Sequence, residues 1–198
     1  MAVLRAKAPR RALRSAEAAQ VAEWQATALL ELAQLQAPPT PSHLISELPR
    51  VLVRTDDDLP VSGCTSWQAG RWLIVLNGSE PLVRQRFSLA HEYKHVIDHR
   101  FRDVLYVDRP GLSAAAQAER AADCFAACLL MPRNWVKQAW ADGHQHLHGL
   151  SGLCHLFNVS APAMARRLDD LGLAVRHETG GHSVAYERLK RPLVRSRL

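Results

Sequence analysis

The chain has 198 residues, 47% hydrophobic and 22% charged, the balance of a globular protein with room for one ordinary core and a small appendage. No apolar run nears the ~20 residues that a membrane-spanning helix needs. The net charge of +6 sits at the two ends: residues 1–15 carry five cations and no acid, and residues 184–198 carry five cations against Glu187, so the stretch between them is net acidic. A basic nucleic-acid-binding core is not indicated by that distribution, and both ends read as mobile basic segments. The first residues lack the apolar stretch of a secretory signal, and Cys64, Cys124, Cys128 and Cys154 show no C-x-x-C spacing. A cytoplasmic protein with reduced thiols is expected.

In chain order, apolar residues at Val21, Trp24, Ala28, Leu32 and Leu35 recur at steps of three and four, predicting a helix from Ala16 to Ala37 that Pro38 and Pro39 stop. A short helix over Ser42–Leu48 leads into a β-rich run, Val51–Arg54, and the three aspartates after Thr55 mark a turn. Val61–Trp67 reads as a second strand. Arg71–Leu76 gives the best strand signal, with Trp72, Ile74 and Leu76 on one face and Asn77-Gly78 as turn chemistry after it. Residues 82–100 then form one long helix without Gly or Pro, and Ser113 caps a second that Pro132 ends near Met131. A helical stretch over Asn134–Trp140 precedes a loop, Gly143–Gly149, containing His144, His146 and His148. Two short helices follow, split at Asn158-Val159, with Ser160 as cap and Pro162 in the first turn.

His91-Glu92-Tyr93-Lys94-His95 carries the chemistry. On a helix, residues four apart differ by only ~40° in azimuth and ~6 Å in rise, so the imidazoles of His91 and His95 can converge on one metal ion. Glu92 projects beside them, where a carboxylate can take a proton from a metal-activated water and return it to a leaving amine. His99 continues the stripe but lies ~12 Å from His91, too far to share the ion. Asp98 and Phe101 stand where the long zincin signature needs Gly and His, so the third ligand must come from another element. The second long helix offers Glu119 as that ligand. Asp123, one turn on, is placed to hold a ligating His Nδ1–H or simply to extend a polar face. Cys124 and Cys128 fall on the opposite side of that helix and read as small core residues.

RQRFSLAHEYKHVIDH followed by ERAADCFAACLLMP, with the later FNVSAPAMARRLDDLGL, resembles the ImmA/IrrE-type metallopeptidases over roughly residues 20–172. The resemblance implies a zincin-like α+β fold, mainly helical, with a small mixed or antiparallel sheet beside the metal-site helix. It further implies zinc, or another divalent ion such as manganese, on His91, His95 and Glu119, with Glu92 as catalytic acid and base. It also implies a protein substrate of the helix-turn-helix repressor class or a similar cytosolic regulator. The chain departs from the commonest motif at Tyr93 and Lys94, where many members have Leu and Gly. The expected organisation is a basic arm over 1–15, a metallopeptidase domain over 16–143, a helix-turn-helix-like subdomain over 144–183 and a basic tail over 184–198. Substrate would add as a strand beside Arg71–Leu76, and no membrane or direct nucleic-acid partner is expected. The competing reading is a DNA- or protein-binding regulator whose recognition helix, Ser160–Leu171, presents Arg166 and Arg167.

Overall fold

The computed structural model describes the backbone of residues 1–146 and 149–173, and the side chains of these except 143–146. The tail over 184–198 lies outside the described residues. The elements run α1 (Ala2–Ala6), α2 (Ser15–Leu32), α3 (His43–Ser46), β1 (Val51–Asp56), β2 (Gly63–Gln68), β3 (Arg71–Asn77), α4 (Leu82–Asp98), α5 (Arg102–Leu105), α6 (Ala114–Leu130), α7 (Arg133–His146), α8 (Gly149–Phe157) and α9 (Ala161–Asp170). This is an α+β, mainly helical fold with a small mixed sheet beside α4, as expected.

The sheet order is β1-β3-β2, with β1 parallel and β2 antiparallel to β3. Arg71–Leu76 is therefore the central strand, with both edges paired, and it cannot receive a peptide as an added strand. β2 is the edge strand next to α4. The signal was present in the sequence: Trp72 to Leu76 is apolar at every position, the pattern of a strand covered on both faces, whereas β2 is polar and short of branched residues. A two-residue turn joins β2 to β3, with Ala69 at φ 46° and Gly70 at φ 79°. Two successive left-handed residues match the right-handed strand twist.

α6 lies between α2 and α4. Its buried face includes four alanines (Ala118, Ala121, Ala122, Ala126), and α2 meets it with Ala18, Ala22 and Ala26. Small residues let two backbones approach closely, so the bulky Trp24 and Leu32 of the expected stripe face outward, about half exposed, while Val21 and Ala28 of that stripe are buried. α2 ends earlier than expected because Gln34, at φ 55°, turns the chain left-handed. Ser113 caps α6 as read, its Oγ accepting from Ala116 N at 3.1 Å.

Residues 1–13 are not a mobile arm. Leu4 and Leu13 are each 1% exposed, Leu13 N donates to Leu105 O at 2.9 Å, and Gln25 Nε2 donates to Leu4 O at 3.0 Å. Arg5 reaches the end of α4, with Nε on Ile97 O at 2.9 Å and Nη2 on Val96 O at 3.0 Å. The last carbonyls of a helix lack intrahelical partners and carry partial negative charge, so a guanidinium there is a cap. A charge count reads such an arginine as solvated.

α7 runs through His146, so the segment at 143–146 is helical and not the loop expected from its glycine and histidines. A helix-interior glycine costs only ~1 kcal/mol, which the flanking residues can absorb. The His144, His146 and His148 side chains lie outside the described residues. α7 shares its core with α8 and α9, Val136 packing with Phe157, Met164 and Leu168. That helical cluster begins near Leu130, upstream of the boundary expected at 144. Phe87 and Trp135 touch both this core and the main one.

Candidate metal centre

α4 places His91 and His95 one turn apart, and α6 brings Glu119 against them. His91 Nε2 lies 3.1 Å from His95 Nε2 and 3.2 Å from Glu119 Oε2, and His95 Nε2 lies 3.4 Å from Glu119 Oε1. All three ligand atoms fall within 4.8 Å of one another. A tetrahedral ion with bonds of about 2.1 Å holds its ligands about 3.4 Å apart, so these separations are compatible with one divalent metal ion. His91 Nδ1 is 2.9 Å from Asp123 Oδ1, which orients the ring and directs its Nε2 lone pair at the other two donors.

The electrostatics carry the same message. Burial works to lower the His91 pKa, but the hydrogen bonds to Asp123 and Glu119 and their charges outweigh it and raise it to about 9. Converging carboxylate and lone-pair density calls for a cation, and without metal a proton answers. His95, deeper and without a carboxylate hydrogen bond, is pushed by burial down to about 4, so its nitrogen is an uncharged donor at neutral pH. Glu119 is held below the ordinary carboxylate range, first by the His91 hydrogen bond.

Glu92 lies beside the group on the β2 side, 9% exposed. Burial raises its carboxyl to about 7, with His91 opposing and Glu119 adding to the rise. Room for it comes from Gly63 in β2: a Cβ there would stand 3.1 Å from Glu92 Cγ and 3.4 Å from Leu76 Cδ2. Sequence reasoning did not single out Gly63. The usable signal was a glycine inside a strand, which often marks the close approach of another group.

His99 does not join the ligands. Its ring packs edge-on against Trp72 at 4.8 Å. Cys128 is buried and Cys124 half-buried, neither among the ligands, as the helix geometry implied. Tyr93 is fully buried and tilted against Phe125 of α6 at 6.3 Å. Lys94 is buried as well, its Nζ donating to Asp98 and lying 3.4 Å from Tyr106 Oη, whose hydroxyl donates to Asp98 at 2.6 Å. The residue that departs from the common motif thus closes a buried polar network and adds no donor to the ligand set. Arg167, one of the two candidate DNA contacts, is 6% exposed with Nε on Met131 O at 3.0 Å, so only Arg166 of that pair faces solvent.

No helix among the described residues is long and apolar enough to cross a membrane. No curated protein matches the chain. The family model for the IrrE N-terminal-like domain, a peptidase family, matches residues 50–169, which spans β1 to α9 and contains His91, Glu92, His95, Glu119 and Asp123. With that match over more than half of its length, and with a His/His/Glu group able to hold a metal ion, the chain belongs to the ImmA/IrrE-type metallopeptidase family.

Proposed function

We propose that the protein is a zinc metalloendopeptidase of the cytoplasm that cleaves a helix-turn-helix repressor or a similar regulator. The observation that carries this reading is the convergence of His91, His95 and Glu119 within 4.8 Å beside a buried carboxyl, Glu92, whose pKa stands at about 7. A zinc ion on those three ligands supplies a lowered water pKa and a polarised scissile carbonyl. The chain does the rest. Glu92, buried beside those ligands, accepts the proton of the attacking water and returns it to the leaving amine. Asp123 keeps the proton of His91 on Nδ1, so that Nε2 remains the donor. Gly63, lacking a Cβ, lets β2 pass close beside the Glu92 side chain.

β2 offers the free edge along which an extended peptide could pair through its backbone, in place of the strand first expected. A folded protein yields such a segment only where a linker or helix end opens, so cleavage belongs in exposed interdomain stretches. The repressor as substrate rests on the family resemblance. The test compares the new N-termini appearing in a host proteome with zinc-loaded wild-type protein and with Glu92→Gln. Cleavage confined to the wild type and falling within helix-turn-helix regulators supports the proposal. Equal cleavage by both proteins overturns the role of Glu92, and no cleavage by either overturns the activity.

A further inference from the structure

A cavity of about 160 Å³ opens between β2, the end of α4 and α5, and the metal-site residue His95 forms part of its wall. Three more rings line it in an edge-to-face series, Trp67 against Trp72 at 5.2 Å and Trp72 against His99 at 4.8 Å. Trp72 is buried, but Trp67 is half exposed and leaves indole surface bare. Polar heads in the wall are already used: Asp98 accepts from Lys94 and Tyr106, and Thr65 Oγ1 donates to Leu73 O at 3.4 Å. Arg102 is exposed in the same wall, and its guanidinium makes no hydrogen bond or ion pair among the described residues.

β2 links this cavity to Glu92 by its register. Residues directly opposite each other in an antiparallel pair share a face, and Gly63, Thr65 and Trp67 stand opposite Leu76, Ile74 and Trp72. That face meets α4, where a Cβ on Gly63 would lie 3.1 Å from Glu92 Cγ. A peptide paired along the free edge of β2 alternates in the same way. The residue beside Gly63 therefore turns its side chain towards Glu92. Those two and four residues on, about 7 and 13 Å away, turn theirs towards Thr65 and Trp67 and so to the cavity.

We propose that this cavity is a substrate subsite for an aromatic side chain, with Trp67 as its selecting wall and Arg102 at its rim. The proposal rests on the peptidase reading and adds what that site selects. The size is right, since a cavity of about 150 Å³ takes a benzene ring. Edge-to-face packing on Trp67 rewards a ring over an aliphatic side chain of similar bulk. The Arg102 guanidinium adds to this, because an aromatic face attracts a cation and a leucine does not.

The test uses the full chain carrying Glu92→Gln and labelled peptides of Ser and Thr with one central Phe, Leu or Glu, by fluorescence anisotropy. The Phe peptide is expected to bind about three- to tenfold tighter than the Leu peptide. Trp67→Ala is expected to erase that difference and Trp67→Phe to keep most of it, with metal content and circular dichroism unchanged in both. Equal binding of the Phe and Leu peptides, or a preference that survives Trp67→Ala, overturns the subsite. Tightest binding of the Glu peptide would overturn the assignment to an aromatic ring and leave Arg102 as the selecting group. In a peptide library cut by the zinc-loaded wild type, an aromatic residue is expected at one fixed offset from the scissile bond, and cuts without such an offset would overturn the register along β2. The Phe preference in a protein that cleaves nothing would overturn the peptidase reading and leave the aromatic subsite standing.

Discussion

α4 carries two clusters of charged and polar side chains within eight residues, and they behave in opposite ways. Towards α6, His91 and His95 meet Glu119 in a group that satisfies itself only by taking up a proton, which His91 holds up to about pH 9. In the interior, Lys94, Asp98 and Tyr106 close a network in which each polar head has a partner, all three at or below 5% exposure. Both clusters sit near the same five-residue motif. The polar group that lacks an internal solution is the one that needs a ligand, and the one that is complete is architecture.

The sharpest way to break this contrast is to remove a ligand. His91→Ala, His95→Ala and Glu119→Ala are each expected to abolish stoichiometric metal, read by elemental analysis of the purified protein, while Lys94→Met retains it. Asp123→Asn, which leaves all three ligands in place, is expected to weaken metal affinity by about 10–100-fold.

Glu92→Gln comes next. It preserves shape and metal content and is expected to lower peptide cleavage by about 10²–10⁴-fold, measured as initial rate under saturating metal.

The interior network responds in stability and not in metal content. Lys94→Ala strips Asp98 of its cation while leaving it buried, for a loss of about 3–5 kcal/mol in urea denaturation. The double variant Lys94→Met/Asp98→Leu removes both charges and is expected to recover most of that loss. A metal loss accompanying Lys94→Ala with the fold intact would erase the distinction between the two clusters.

Deleting residues 2–13 withdraws Leu4 and Leu13 from the core and Arg5 from the end of α4. Each buried leucine contributes about 1.5–3 kcal/mol, so a drop of several kcal/mol in denaturation is expected. An unchanged midpoint would return this segment to the mobile arm read from its charge.

The smallest effect is a pH dependence. His91 has a folded pKa of about 9, above its ordinary value of 6.5, so in metal-free protein its contribution to stability is full below 6.5 and is lost as pH rises through 9. Metal must displace that proton. Calorimetry near pH 7.5 in two buffers of different ionisation heat should therefore report release of about one proton per metal bound. With metal saturating, the decline in stability between pH 6.5 and 9 from this group should vanish.

Much of the site was legible because its logic is local. The spacing of His91 and His95 fixes their convergence through the helical period alone, and the same period puts Glu119 and Asp123 on one face of α6. Ser113 announces where that helix starts, and the two-residue strand period puts Trp72, Ile74 and Leu76 on the one face of β3 that reaches the core. These features depend on backbone geometry that a few neighbouring residues dictate. Tertiary structure decided the rest: that Gly63 makes room for Glu92, that Arg5 ends α4 and that Arg167 is buried with its Nε on Met131 O. In each case the deciding partner lies far away in the chain, as with Arg5 and Val96, 91 residues apart. Periodicity gives a side chain its direction, but only the packed chain supplies what it meets there.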